Sequence, residues 1–576
     1  MKVSYHHANP YAGNESILLK FDDETTNGQT ACVLVDSGPD VDVDTLLDED
    51  DDEYLTAVLL THAHRDHYRS IATNLRDAAP IYTSEATAGI LDSVLSEAQQ
   101  YASDGLGDTE AVLDALEPVS GWVSPVSGLR IAPVPAGHTP GAVGFLFQFE
   151  TDVAADADGD SSGERAATRT ILATGDWTRQ RAAGYPGIDT ALPVDVGAVF
   201  LTGATNDSYA MSLTDSVGTI CQRAFTGSSV LVSASGLTGV RYAYVVGHLS
   251  EHLERPLSVV LVGQAAKLYD DLGYEVPNVE SIPTFNDPTE LLAPEQVTIA
   301  GPEVPTEGSS ARLFAEIREN PSATLVQVAA SDDTPVLSAS CTVYDFEVIA
   351  HPTEETVDTV VEQLNPTQVV ITHQRRREGR RYKDKYNAFV WATGDTDEYT
   401  IFEQGEWIAP PWMTAEGREY VHRANNASVR TWLGSGVADD DTIPLPTCDR
   451  FDENVDLASE GLDMDALEEQ LRVSVSSTAA GDTQASTTGG SPQPAAGSDG
   501  TPTEDDGVSA ETVASITDRL DTIESRLEGT TVPARVVDAG EGVRLLRVLG
   551  DIDHTHGERV DVTIRDADEQ APADNE

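Results

Sequence analysis

Lysine is nearly missing from this chain of 576 residues, standing only at Lys2, Lys20, Lys267, Lys383 and Lys385. Arginine supplies the other cations, and 35 basic side chains face 98 acidic ones for a formal net charge of −63. That balance lacks the broad basic surface by which a nucleic-acid binder usually gathers phosphate. Cysteine is scarce as well: Cys32, Cys221, Cys341 and Cys448 lie far apart with no paired spacing, which excludes a zinc ribbon or a disulfide framework and reads as buried thiols in a reducing compartment. No apolar run approaches the ~20 residues of a membrane span, and Met1 to His7 lack the apolar core of a secretory leader, so a cytoplasmic protein without a membrane partner is expected.

What the chain does have is concentrated in Thr61-His62-Ala63-His64-Arg65-Asp66-His67, directly after the apolar run Ala57 to Leu60. Imidazole and carboxylate suit zinc or a similar divalent ion. His62 and His64, two apart, face one way, while Asp66 and His67 turn toward a second ion. A merely solvated histidine-rich loop would lack the preceding strand and the interleaved aspartate.

Further polar residues stand at the ends of expected buried strands. Leu129 to Val134 leads to Gly137-His138, where His138 completes the first ion; Thr170 to Ala173 leads to Asp176, able to bridge two ions. Val369 to Thr372 leads to His373, a last ligand for the second ion, and Ala31 to Val35 ends in Asp36, placed to orient a ligating imidazole from behind. Taken singly, His138, Asp36 or Asp176 would pass for ordinary turn residues. Their order along the chain is what gives them weight.

In that order, Asp36, then His62, His64, Asp66 and His67, then His138, Asp176 and a late His373, the segments resemble the metallo-β-lactamase fold superfamily. His373 stands 197 positions after Asp176, room for a further domain where simple members have a short connection. That gap resembles the β-CASP insertion. Tyr344 to His351 resembles the strand ending in that branch's additional catalytic histidine, and Pro366 to His373 the strand carrying its last ligand. The branch includes ribonuclease J and the cleavage and polyadenylation endonuclease. The likeness implies an α/β protein: an αββα sandwich with an inserted α/β domain and two divalent ions, zinc in preference with manganese as the alternative for both. His62, His64 and His138 would hold one ion, Asp66, His67 and His373 the other, with Asp176 bridging, Asp36 and Asp66 assisting and His351 handling the leaving oxygen. RNA-acting members carry histidine at the last motif and DNA-repair members valine, so His373 argues for RNA. The chain departs from the family at Thr202 to Asp207, where an acidic residue followed by Ser-Thr-Tyr-Gly is usual.

Scarce lysine with abundant aspartate is the pattern of a halophile, and at molar salt the Debye length of roughly 3 Å suppresses long-range repulsion of a polyanion. Binding must then come from short contacts. One basic run offers them: Arg375, Arg376, Arg377, Arg380, Arg381, Lys383 and Lys385, with Tyr382 and Tyr386 spaced to stack on bases of a single strand. Its plain alternative is a solvated face paired with surface carboxylates. His248 and His252, four apart, read as an ordinary helix surface because no glutamate or third ligand accompanies them in sequence.

The organisation expected is a core from 1 to 195, an inserted α/β layer from 196 to 345, a return to the core from 346 to 410 and an extension from 411 to 473. A flexible linker follows from 474 to 507, then a short coiled-coil helix and small β unit from 508 to 566, a candidate homodimer contact. The function expected is hydrolysis of RNA phosphodiester bonds. Three readings stand beside it: a DNA-processing β-CASP nuclease; a thioesterase- or lactonase-like hydrolase, which leaves the insertion and His351 unexplained; and an RNA-binding subunit whose altered Thr202 to Asp207 segment has cost it activity.

Overall fold

The computed structural model describes residues 1–22, 29–48, 52–101, 105–152, 166–330, 334–374, 376–383, 385–429, 444–452, 454–479, 534–538 and 544–548. Alternation along nearly continuous apolar strands builds the centre. In Ile17–Asp22, Ile17, Leu19 and Phe21 enter one core while Leu18 enters another; in Thr30–Val35, Val33 and Val35 part from Cys32 and Leu34 in the same way. Both faces of such a strand are dry, so each sheet must be covered twice.

An eight-stranded sheet supplies one inner face, in the order Glu406–Trp407, Tyr399–Glu403, Lys2–His7, Ile17–Asp22, Thr30–Val35, Glu53–Leu59, Ile81–Thr83, Leu116–Pro118. A seven-stranded sheet supplies the other, in the order Phe389–Trp391, Gln368–Thr372, Ala198–Thr202, Ala166–Ala173, Val143–Asp152, Leu129–Pro135, Val123–Val126. Phe145, Phe147, Phe149, Ile171, Phe200 and Val370 project inward against Tyr5, Phe21 and Val35. Outside, Val357, Val360 and Val361 of the helix Glu354–Leu364 cover the second sheet, and Ile90, Leu91, Val94 and Leu95 of the helix Glu85–Tyr101 cover the first. The result is a mixed α/β chain with an αββα sandwich at its centre.

The inserted layer is a six-stranded, wholly parallel sheet in the order Val279–Ile282, Ser258–Val262, Gln296–Ala300, Ser229–Ala234, Ala323–Ala329, Thr342–Glu347. Helices Tyr209–Phe225, Gly236–His252 and Gln264–Asp271 pack on one face and Gly308–Ile317 on the other. The chain leaves the sandwich after Thr202 rather than at 196, because Ala198–Thr202 pairs in parallel with both Ala166–Ala173 and Gln368–Thr372.

The extension returns to this body. Leu467 and Leu471 of the helix Met464–Ala479 join the core beside Tyr209–Phe225, and the buried Glu460 accepts hydrogen bonds from Ala183 N and Gly184 N, both 2.8 Å. That helix runs past Ser474, into the segment read as linker; the remaining linker positions and the expected coiled-coil helix lie outside the described residues. The second unit, 486–576, contributes an antiparallel hairpin of Ala534–Asp538 and Arg544–Val548, inside the span expected to hold a small β unit. No helix among the described residues is long and apolar enough to cross a membrane, and all four cysteines are free thiols.

Candidate metal centre

Every strand that delivers a ligand ends at one rim of the sandwich. Glu53–Leu59 runs into the loop holding His62 and His64, and the short helix Arg65–Tyr68 turns Asp66 and His67 back toward it. Asp36 at φ 57° and His373 at φ 49°, each just past its strand, adopt positive φ at this rim, a conformation retained where the surroundings over-determine it. Gly175 shows why the turns are tight: at φ 57°, its missing Cβ would lie 2.7 Å from the Thr61 side chain.

Asp36 is almost fully buried and accepts three hydrogen bonds: from Thr61 N at 2.8 Å, from Thr61 Oγ1 at 2.8 Å, and from His67 Nδ1 at 2.8 Å. A carboxylate can only accept, so a proton sits on His67 Nδ1 and Nε2 is the atom turned inward, toward Asp176. His138 is set the same way, its Nδ1–H donating to the Ala350 carbonyl at 2.7 Å. His138 Nε2 then stands 3.1 Å from His64 Nδ1, close to the ~3.3 Å expected between two nitrogens on one tetrahedral zinc.

Ligand atoms gather in three groups, each within 4.8 Å: His62, His64 and His138; His62, His67 and Asp176; and His138, Asp176 and His351. The first is the triad expected for one ion. In the second, His67 and Asp176 come together as expected but with His62. Asp66, with half its side chain exposed, lies 3.9 Å from His67 Nε2, and His373 Nδ1 donates to Asp176 Oδ1 at 2.7 Å. Asp176 Oδ2 is the hub, 3.4 Å from His67, 3.8 Å from His138 and 3.9 Å from His351. His351, expected only to act on substrate, thus also stands within ligand reach.

Electrostatics follow from burial and this hub. Burial pushes His62, His64 and His138 down, and His351 down to about 4. Burial would lower His373 too, but the Asp176 carboxylate outweighs it and holds His373 at about 9; His373, His351 and His67 in turn keep Asp176 well below the usual carboxylate range despite its burial. His62 Nε2 and His67 Nε2 are buried with no hydrogen-bond partner. Buried nitrogens left so cost about 1–3 kcal/mol each, and imidazoles aimed at a shared carboxylate are what a divalent transition ion takes up. The residues present fit such ions.

The basic run fares differently. Arg375 lies outside the described residues, and nothing is described of the Arg376 and Arg377 side chains. Arg380 and Lys383 are exposed. Arg381 donates to the Gly203 carbonyl at 3.0 Å and approaches Glu354, and Lys385 pairs with Glu354 and, at 2.9 Å, with Asp358. Tyr382, read as a stacking residue, is fully buried with its hydroxyl on the Gly203 carbonyl, because the turn Arg380–Tyr382 points it into the core. Tyr386 is tied to Asp358. In the divergent segment, Asp207 accepts from Glu354 N and Asn206 donates to the Ile349 carbonyl, so both brace the approach to His351.

Two contributors had no sequence signal that spacing could reveal. The Ala350 carbonyl fixes His138 from 212 positions away, and the loop Asn9 to Glu15, with Asn9, Asn14 and Glu15 buried, braces the other side, Asn14 O accepting from His373 N at 2.6 Å. The buried Glu15, pushed up to about 7 by burial, faces His67 and His373.

Residues 25–154 match the Metallo-beta-lactamase superfamily, and the chain carries a domain of that superfamily. The human DNA cross-link repair 1A protein is 31% identical over 121 residues, which are 21% of this chain and 10% of that protein. A ribonuclease of Thermus thermophilus is 33% identical over 107 residues, 17% of this chain and 25% of that one. The chain thus spans a tenth to a quarter of the lengths of these relatives. A crystal structure of a protein of unknown function from Enterococcus faecalis V583 aligns at 16% identity with a TM-score of 0.47, covering 69% of this chain and 99% of that one.

Proposed function

We propose that the chain is a metal-dependent hydrolase of nucleic-acid phosphodiester bonds, acting on single-stranded RNA in RNA processing or decay. The observation that carries this is the gathering of His62, His64 and His138 in one ligand group and of His67 and Asp176 with His62 in the next, the Nε2 atoms of His62 and His67 being buried without a hydrogen-bond partner. His62, His64 and His138 would hold one divalent ion and His67, Asp176, Asp66 and His373 a second, zinc or manganese. Bound there, such ions would supply the Lewis acidity that makes water acidic near neutral pH and neutralises phosphate charge.

The protein's own residues do the rest. Asp36 and the Ala350 carbonyl hold His67 and His138 in the tautomer that ligates. His351 is neutral before substrate arrives; an incoming phosphate anion raises its proton affinity, so it can bind a proton and deliver it to the leaving oxygen. Asp176 holds His373 by a charge-assisted hydrogen bond.

His373 at the last motif and the ribonuclease relative support RNA; the cross-link repair relatives support DNA as the second reading. The test is cleavage of end-labelled single-stranded RNA and matched DNA with added zinc or manganese, at 0.1 M and molar KCl, comparing intact protein with Asp176→Asn and His351→Ala. RNA should be cut in preference, and each folded variant should lose at least about 100-fold, consistent with losing a positioned proton donor or ligand. Faster DNA cutting would replace the substrate; RNA binding without cleavage by metal-loaded protein would replace the enzyme with a binding subunit.

A further inference from the structure

Beside the centre, the loop from Ala8 to Ser16 presents Tyr11 with 82% of its surface exposed, the largest exposure of any large apolar side chain among the described residues. An exposed aromatic on a floppy loop would mean little. Here the pedestal is rigid: Asn9, Asn14 and Glu15 are buried, Ala12 N and Asn14 N both donate to the Asn9 carbonyl, and Ser16 N donates to Asn9 Oδ1. The same pedestal is bonded to the site, through Asn14 O to His373 N and Asn14 Nδ2 to the Gln374 carbonyl. Three positions separate Tyr11 from Asn14, so its Cα lies within about 11 Å of that anchor.

Gly38 joins this loop to the ligand loop. A Cβ on Gly38 would fall 2.1 Å from the Asp66 carbonyl, 2.1 Å from Glu15 Oε1 and 2.9 Å from Asn9 Nδ2, so the three segments meet there without room for a methyl group. On the ligand loop's outer side stands Arg65, between His64 and Asp66. Its side chain is exposed and makes no ion pair with a described carboxylate, notable in a chain with 98 acidic residues. Arg381 and Lys385, by contrast, are spent on Glu354 and Asp358.

We infer that Tyr11 and Arg65 form a nucleotide subsite next to the metal centre, Tyr11 stacking on a base and Arg65 binding the adjoining phosphate. The ligand is a single-stranded nucleic acid, since a base inside a duplex offers no free face to an aromatic ring. The subsite rests on the nuclease reading for its purpose, but it makes its own claim about binding. A guanidinium fork matches two phosphate oxygens, and at high salt, where diffuse attraction is screened, one such contact and one stacked base carry the affinity that a basic surface would otherwise supply.

The experiment measures binding of a fluorescein-labelled single-stranded RNA ten-mer by anisotropy to the full chain and to Tyr11→Ala, Tyr11→Phe, Arg65→Gln and, as control, Tyr420→Ala, whose tyrosine is 58% exposed on the helix Ala415–Val429. Both subsite residues are exposed, so thermal melts should match the parent. Tyr11→Ala should weaken binding about 5- to 150-fold, the range of one lost stack. Tyr11→Phe should restore it, Arg65→Gln should weaken it less at molar KCl than at 0.1 M, and Tyr420→Ala should leave it unchanged. Equal affinity for Tyr11→Ala and the parent overturns the subsite, as does failure of the parent to bind RNA or DNA ten-mers at all. Hydrolysis of bis(p-nitrophenyl) phosphate by the parent is scored separately: its presence with unaltered binding in the variants sinks the subsite alone, and its absence with the expected binding losses sinks the hydrolase reading alone.

Discussion

Asp36→Asn is the perturbation that most directly tests how the centre is held. Asparagine has the same shape, and its carbonyl can still accept from Thr61 N at the Oδ1 position. At the Oδ2 position, however, an NH2 group would meet two donors, His67 Nδ1–H and the Thr61 hydroxyl, both 2.8 Å away in the parent. The cheapest relief is for His67 to move its proton to Nε2, the atom that must face an ion. A lost charge-assisted hydrogen bond is worth about 1.5–3 kcal/mol, and loss of a partner behind a metal ligand typically costs about 10- to 100-fold in affinity, or about 1.4–2.7 kcal/mol. The two routes agree. Competition against a chromophoric chelator, titrating zinc into metal-stripped protein, should show one of two sites weakened by that factor while the site of His62, His64 and His138 keeps its affinity within about two-fold. Equal weakening of both sites would refute the assignment of Asp36 to His67, and unaltered affinity at both would refute the claim that the tautomer is set there.

Acidification should reveal His7, which is buried against Thr393 and pushed down to about 4, burial being the chief cause. The unfolded chain takes up that proton below about 6.5 while the folded one does not until about 4, so stability is full above 6.5 and falls by about 3 kcal/mol as pH drops to 4; urea midpoints at pH 7 and 4.5 for His7→Gln should fall less steeply than the parent's. Glu460→Gln replaces one of two acceptors on Ala183 N and Gly184 N by a donor, and urea unfolding should show a loss of about 1–3 kcal/mol; an unchanged midpoint would mean the extension is not latched through this carboxylate. Phe147→Ala between the two large sheets should cost about 3–5 kcal/mol by the same assay, and a loss under 1 kcal/mol would contradict the dry interface described.

The gathering of the candidate residues was legible in the sequence because they follow the C-terminal ends of strands whose two faces are both apolar. Runs such as Ala57 to Leu60 and Val369 to Thr372 announce a doubly covered strand, and the polar residue that follows must sit at its rim. The basic run was not legible in the same way. Charge is read along the chain, whereas the turn Arg380–Tyr382 sorts residues by direction, burying Tyr382 under Gly203 and leaving Arg380 outside. Nor could spacing show that Asn9 to Glu15, an unremarkable polar stretch, packs against a histidine far along the chain.

The placement of the insertion follows from parallel pairing. Ala198–Thr202 lies between Ala166–Ala173 and Gln368–Thr372 with all three strands pointing the same way, Thr202 level with Thr372 and Ala173 level with Phe200. Asp176 and His373, 197 positions apart, therefore emerge together at one end of the sheet and meet at 2.7 Å. A parallel neighbour needs a crossover in any case. Here the chain leaves at Thr202 and re-enters through Ile349, Ala350 and His351, all at the ligand end, so a whole parallel sheet can occupy the crossover without disturbing a ligand. The re-entry is also used: the Ala350 carbonyl sets His138, His351 reaches Asp176, and Asn206 and Asp207 tie the exit to the return. Unpairing Asn206 from Ile349 by Asn206→Ala should consequently lower kcat for RNA cleavage more than it lowers stability. Parallel losses in the two would place Asn206 in the fold alone.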